Sequence, residues 1–253
     1  MDITITVILI CSIAFFVAGF VDAIAGGGGL ITMPVLLLTG VPAHYTLGTG
    51  KLASSLGSAT ALYTFWRRGA VIKQVVLLGV ITSYLGAAAA SATTLLISNE
   101  KMTVIMIFML PIGILLSLMC GSLKLTDGEL PKTGLWWKVS AIGLSIGFYE
   151  GFFGPGAGSF FLIGIHVLLK AGLVKASGTA KAFNLASNLG GVTAFATAGT
   201  LYYSLALPCA FASILGNRIG AIYAVKIGPA LVRNVLYGVL AVLLVSLIVR
   251  FVI

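Results

Sequence analysis

Asp22, Lys51, Glu150 and Lys181 are ionisable side chains set inside runs of apolar residues. A charge at bilayer depth is costly enough to require a partner or a purpose. Two acids and two lysines in alternating order suit one chemistry well. The ammonium groups of Lys51 and Lys181 compensate an anion, while Asp22 and Glu150 neutralise those lysines in its absence or carry a coupling proton. Fixed salt bridges that tie one helix to the next are the structural alternative for all four. One and two turns beyond each lysine stand Ser54 and Ser58 in one half, Asn184 and Asn188 in the other. These side chains could complete the coordination of a polyoxygenated anion, or serve as helix-to-helix hydrogen bonds.

Glycine clusters lie close to the acids: Gly26-Gly27-Gly28-Gly29 follows Asp22, and Gly154-Pro155-Gly156-Ala157-Gly158 follows Glu150. Each separates a long apolar run from one too short to span, so a helix is interrupted at membrane depth. That leaves backbone groups which must line a cavity or bind something. A helix N-terminus offers free N–H donors and about half a positive charge, and glycine lets an oxyanion approach the main chain. Gly27, Gly28 and Gly29 with Gly156, Ala157 and Gly158 are therefore candidate substrate contacts. Close helix packing is the plainer use of glycine, and the preferred one for Gly79, Gly86 and Gly113.

The elements that must hold these residues are membrane helices. Of 253 residues 59% are hydrophobic and 8% charged, with a mean hydropathy of +1.14, against about 25% charged in soluble domains. Apolar segments fall near 3–24, 29–39, 46–66, 74–97, 102–122, 135–153, 157–169, 178–198, 202–225 and 230–252. No alternating ten-residue pattern marks a barrel. The fifteen Lys and Arg form no basic stripe with interleaved aromatics, which argues against nucleic acid despite a net charge of +9. The first apolar run lacks a basic leader and is read as a retained membrane segment. Cys11, Cys120 and Cys209 lie in apolar runs without metal or redox spacing, and His44 and His166 have no ligand partner at metal spacing, so neither metal nor cofactor is expected. His44 is assigned to a short external loop. Trp66, Trp136, Trp137, Tyr202 and Tyr203 read as interfacial anchors. The first glycine run ends in Leu30-Ile31-Thr32, without the Gly-Lys-Ser/Thr of a nucleotide loop.

The two halves match. Gly19-Phe20-Val21-Asp22 aligns with Gly147-Phe148-Tyr149-Glu150 at an offset of 128, and Gly48-Thr49-Gly50-Lys51 with Gly178-Thr179-Ala180-Lys181 at 130. Equivalent loops differ in charge: Arg67, Arg68 and Lys73 on one side face an uncharged 198–201, while Glu100 and Lys101 face Lys226 and Arg233. Positive loops are cytoplasmic, so the repeats are expected to be inverted. Lys124, Lys132, Lys138, Lys170 and Lys175 then lie inside, the Asp2 end outside, and Arg250 is the misfit. The expected fold class is all-α, a polytopic bundle of two inverted repeats, each a glycine-broken hairpin plus three transmembrane helices. Repeat one covers 1–122, a cytoplasmic linker 123–133 and repeat two 134–253.

The stretch from Gly19 to Pro34, Gly48-Thr49-Gly50-Lys51 and Arg67-Arg68-Gly69 resemble the TauE/SafE family, the sulfite exporter or 4-toluene sulfonate uptake permeases. Gly147 to Gly158 and Gly178 to Lys181 are similar to that family's degenerate second copy. The resemblance implies a bacterial inner-membrane permease for sulfur-containing oxyanions or organosulfonates, driven by the proton gradient. From the residues themselves the leading expectation is a secondary carrier for a small anion, with alternating access around a midplane site. A passive channel and a non-transporting assembly protein are the rivals; no nucleophile and base stand at workable spacing for an enzyme. The sequence leaves the oligomeric state open, a homodimer included.

Overall fold

A computed structural model describes residues 4–119, 130–131 and 133–227. The segment 230–252, with Arg233 and Arg250, lies outside them, as do Cys120, Lys124 and Lys132. The described chain is helical throughout: α1 Ile5–Ala25, α2 Gly29–Leu38, α3 Ala43–Arg67, α4 Lys73–Thr94, α5 Asn99–Met119, α6 Leu135–Phe152, α7 Ala157–Leu169, α8 Leu173–Thr197 and α9 Tyr203–Ile227. An all-α membrane bundle is what the apolar runs require, because every backbone group in a helix is paired within its own segment.

Among the described helices α1, α4 and α9 are long and apolar enough to cross a bilayer. Their outer faces carry large side chains one turn apart: Ile5, Leu9 and Ile13 on α1, Leu77, Ile81 and Leu85 on α4, Leu207, Phe211 and Leu215 on α9, all exposed. Such stripes face lipid. Helices α3 and α8 are as long as α9 but rich in Gly, Ala, Ser and Thr, and they face each other at the centre. Small residues permit that approach, and the apolar surface they lack is not needed where no lipid reaches. Both helices begin ahead of the apolar runs at 46 and 178, with Pro42 and Gly172 at their entries and His44 and Lys175 in their first turns. His44 therefore sits in the first turn of α3 rather than in a loop, its Nε2 3.2 Å from the Thr94 carbonyl.

The chain doubles back at both glycine clusters. Gly26, Gly27, Gly154 and Gly156 adopt φ between +76° and +96°, values open to glycine at little cost. A β-carbon at Gly28 would stand 2.9 Å from the Ala18 carbonyl oxygen, so the chain has folded onto the helix it just left. Helices α1 and α2 form one hairpin, α6 and α7 another.

Contacts between the halves recur in exchanged pairs. Helix α1 lies along α9 as α6 lies along α4, and α3 packs on α9 as α8 packs on α4. The Ile72 N–H donates to Thr179 Oγ1 at 2.9 Å, and the Tyr202 N–H donates to Thr49 Oγ1 at 3.1 Å. Gly48 is pressed against Thr200 and Phe195, Gly178 against Ala70 and Phe65; Gly19 meets the Ser213 carbonyl and Gly147 the Ser83 carbonyl. Each pair keeps the 128 or 130 spacing between matched residues.

Candidate functional site

The two hairpin tips touch. A β-carbon at Gly26 would overlap the Gly158 carbonyl carbon, one at Gly29 would lie 3.1 Å from Pro155 Cα, and Ser159 Oγ donates to the Ala25 carbonyl at 3.0 Å. Only glycine admits this backbone-to-backbone contact. Gly26→Ala is therefore expected to cost about 2–3 kcal/mol or more, from an adverse φ plus a clash with main chain that cannot rotate away. Gly69 also has positive φ but nothing within 4 Å of a β-carbon, so Gly69→Ala should cost about 1 kcal/mol. Thermal unfolding of the two variants in detergent measures the difference; equal midpoints would mean that the tips do not touch.

Asp22, in the last turn of α1, binds in two directions. Its Oδ2 forms an ion pair with Lys181 Nζ at 2.7 Å, and its Oδ1 accepts the Gly28 N–H at 3.3 Å, where α2 begins. A carboxylate thus already occupies the N-terminus of α2, the place where an oxyanion is favoured by the helix dipole. The Lys181 side chain is 1% exposed and that of Asp22 14%.

The matching residues are arranged differently. The Glu150 carboxylate accepts Asn184 Nδ2 at 2.8 Å and Ser187 Oγ at 3.0 Å, both on Oε2. Ser58 Oγ in turn donates to Asn184 Oδ1 at 2.9 Å, and Asn188 Nδ2 donates to the Asn184 carbonyl. The Lys51 ammonium donates to the main-chain carbonyl of Glu150 instead of to a carboxylate oxygen. Its stem lies against Gly191, and Gly154 is beside its Nζ. Lys51 is 2% exposed. Among the described residues Asp22–Lys181 is the salt bridge. One lysine has a carboxylate in contact; the other touches the Glu150 main-chain carbonyl, and the carboxylate of that residue acts on it only at longer range.

Beneath the tips lies a cavity of about 30 Å³, room for roughly two waters. Of the residues singled out in the sequence, Asp22, Gly27, Gly28 and Gly29 line it from the first hairpin, Gly156, Gly158 and Glu150 from the second, and Lys51, Ser54, Asn184 and Asn188 from the central helices. Lys181, Ser58 and Ala157 stand behind this wall: Lys181 holds Asp22, Ser58 holds Asn184, and Ala157 is buried at the start of α7. The lining also includes Thr32, Met33, Ser213 and Asn217, which the sequence reading passed over. Asn217 had no match to flag it, since 130 residues earlier stands Ala87; an amide inside an apolar run was the available signal.

The cysteines Cys11 and Cys209 are buried in one apolar cluster. Trp66, Trp136, Trp137 and Tyr203 are exposed near helix ends, and Tyr202 stacks on Tyr45 at 4.4 Å. These positions suit interfacial anchors.

Comparison with known proteins agrees with this architecture. The profile of the family described as sulfite exporter TauE/SafE matches residues 11–247. A Sinorhizobium protein described as "probable membrane transporter protein" is 34% identical over 240 residues, covering 93% of this chain and 90% of its own. A Haemophilus influenzae protein of the same description is 37% identical, covering 92% and 91%. Escherichia coli YfcA, described likewise, is 33% identical, covering 95% and 90%. No solved structure matches the chain. With its family profile spanning nearly the whole sequence and lipid-facing stripes on its outer helices, the chain belongs to the sulfite exporter TauE/SafE family of membrane transporters of the bacterial inner membrane.

Proposed function

We propose that the protein is a secondary active carrier for a small anion, a sulfur-containing oxyanion or organosulfonate, coupled to protons, with Lys51 as the cation that receives it. The observation that carries this reading is the position of Lys51: buried, at the cavity, and in contact with a main-chain carbonyl where its counterpart has a carboxylate. A buried ammonium in that state gains most from an incoming anion, because Coulomb attraction grows as water is excluded. The tip glycines Gly27, Gly28, Gly156 and Gly158 line the same space, with the Gly28 N–H held by Asp22.

Two inverted repeats, 1–122 and 134–253, rocking against each other around the cavity would expose it to either side in turn. The exchanged contact pairs support that division of the chain. Asp22 then acts as a resident anion at the start of α2: a proton on its carboxylate weakens its hold on Lys181 and Gly28, and the substrate takes up the freed donors. Glu150, held by the neutral donors Asn184 and Ser187, is a second proton carrier.

Purified protein in liposomes tests the reading. Sulfite, thiosulfate or an alkanesulfonate trapped inside should drive saturable counterflow of the same labelled anion, and an imposed pH gradient should drive its accumulation. Flux that never saturates would identify a pore, and no flux of any of these anions would exclude the carrier.

A further inference from the structure

We infer that the transported anion carries a hydrogen-bond donor, an O–H or N–H group, received by Asn217 and Thr32 in a part of the cavity separate from Lys51. This rests on the reading of the cavity as an anion site and narrows it to a substrate class.

Among the described residues, two that line the cavity each carry a side-chain oxygen with no partner. Thr32 Oγ1 and Asn217 Oδ1 are buried and make no hydrogen bond, and their residues are 2% and 1% exposed. Buried polar groups in proteins are almost always satisfied, so each exception needs a reason. Thr32 has an easy alternative. Most helix threonines here, Thr60, Thr64, Thr82 and Thr94 among them, donate to the carbonyl one turn back. Thr32 does not, although its own amide bonds the Gly28 carbonyl in that way.

The orientation of Asn217 is also settled by its neighbours. Its Nδ2 donates to the Ser213 main-chain carbonyl at 3.0 Å and to Ser213 Oγ at 3.2 Å. A carbonyl accepts only donors, so the amide cannot be turned around, and Oδ1 is left as an acceptor. Ser213 and Asn217 pack against Gly57 and Gly19, where any β-carbon would strike them. That tight seat keeps the amide from rotating towards another donor.

An amide oxygen repels a bare oxyanion and welcomes a donor. Gly57 lies six residues after Lys51 on α3, about 9 Å along the axis. The cavity lining therefore includes a cation, Lys51, and, beside Gly57 further along α3, an amide with a free acceptor, with Thr32 contributing a second unpaired oxygen. A ligand that satisfies both has an anionic head and a donor a few bonds away. The Thr32 hydroxyl, acceptor and donor at once, accommodates the lone pairs of an alcohol as well as its proton.

The test is binding to purified protein in detergent, read by calorimetry and thermal shift, with an isosteric pair: 2-hydroxyethanesulfonate and propane-1-sulfonate, which differ by O–H for CH₃. Sulfite and sulfate report anion binding without the donor arm. The hydroxylated ligand should bind at least about tenfold more tightly than its isostere, since leaving a buried acceptor unpaired carries a penalty of that order. Thr32→Val and Asn217→Leu should each reduce the ratio to about threefold or less while sulfite still binds. Thr32→Val removes one hydroxyl at constant shape, so the test stands even if Asn217→Leu fails to fold. Equal binding of the pair to the unaltered protein, or a ratio unchanged in the variants, would overturn this inference and leave the anion site intact. Failure of every anion to bind would overturn the anion site and this inference with it.

Discussion

Lys51→Met is expected to weaken anion binding by about 30-fold or more, at a smaller cost in stability than Lys181→Met carries. The ammonium contributes a charge-assisted contact in a buried site, worth roughly 2–4 kcal/mol when one partner is removed, and each 1.4 kcal/mol is a factor of about ten. Two features limit the loss of stability. Methionine retains the stem that fills the space beside Gly191. The Glu150 main-chain carbonyl loses its donor, but the desolvation cost of the buried ammonium disappears as well and offsets part of that penalty. Calorimetric titration with sulfite, alongside thermal unfolding of the unliganded protein, measures both halves of the expectation. Binding that survives at the original strength would show that the anion is held elsewhere.

Lys181→Met should act mainly on stability instead, lowering it by about 3–5 kcal/mol. It removes the partner of a largely buried carboxylate, and breaking a buried pair from one side is far costlier than replacing both members. Asp22 would keep only the Gly28 N–H at 3.3 Å. The double variant Asp22→Asn with Lys181→Met should recover most of the loss, because no charge is stranded. Unfolding midpoints of Asp22→Asn, Lys181→Met and the double variant form the cycle that tests this. Independent, additive effects would mean that the ion pair at 2.7 Å contributes nothing.

These expectations differ although Lys51 and Lys181 occupy matched places in Gly48-Thr49-Gly50-Lys51 and Gly178-Thr179-Ala180-Lys181. From the sequence the two lysines were interchangeable, each with an acid to neutralise it. In the folded protein Asp22 reaches across to Lys181, whereas Glu150 turns its carboxylate to Asn184 and Ser187 and presents its carbonyl to Lys51. The difference traces to residue type along α8. Asn184 and Ser187 place an amide and a hydroxyl beside Glu150, while the positions 130 earlier in α3, Ser54 and Gly57, are shorter and offer Asp22 no such reach.

Much of the architecture follows from composition and spacing alone. Twenty-residue apolar runs leave the helix as the structure that pairs its own backbone. Glycine clusters after Asp22 and Glu150 mark where those helices must break, and both breaks are where the chain reverses. What no local signal carries is which side chains meet across the bundle. The contact between Gly26 and Gly158, the partner chosen by each acid, and the isolation of Thr32 and Asn217 depend on groups from about thirty to more than a hundred and fifty residues apart in sequence. Hydrophobic periodicity reports the solvent each face meets, whether lipid or protein. It does not report which donor lies opposite a given acceptor, because that is decided only when the hairpins and the central helices pack.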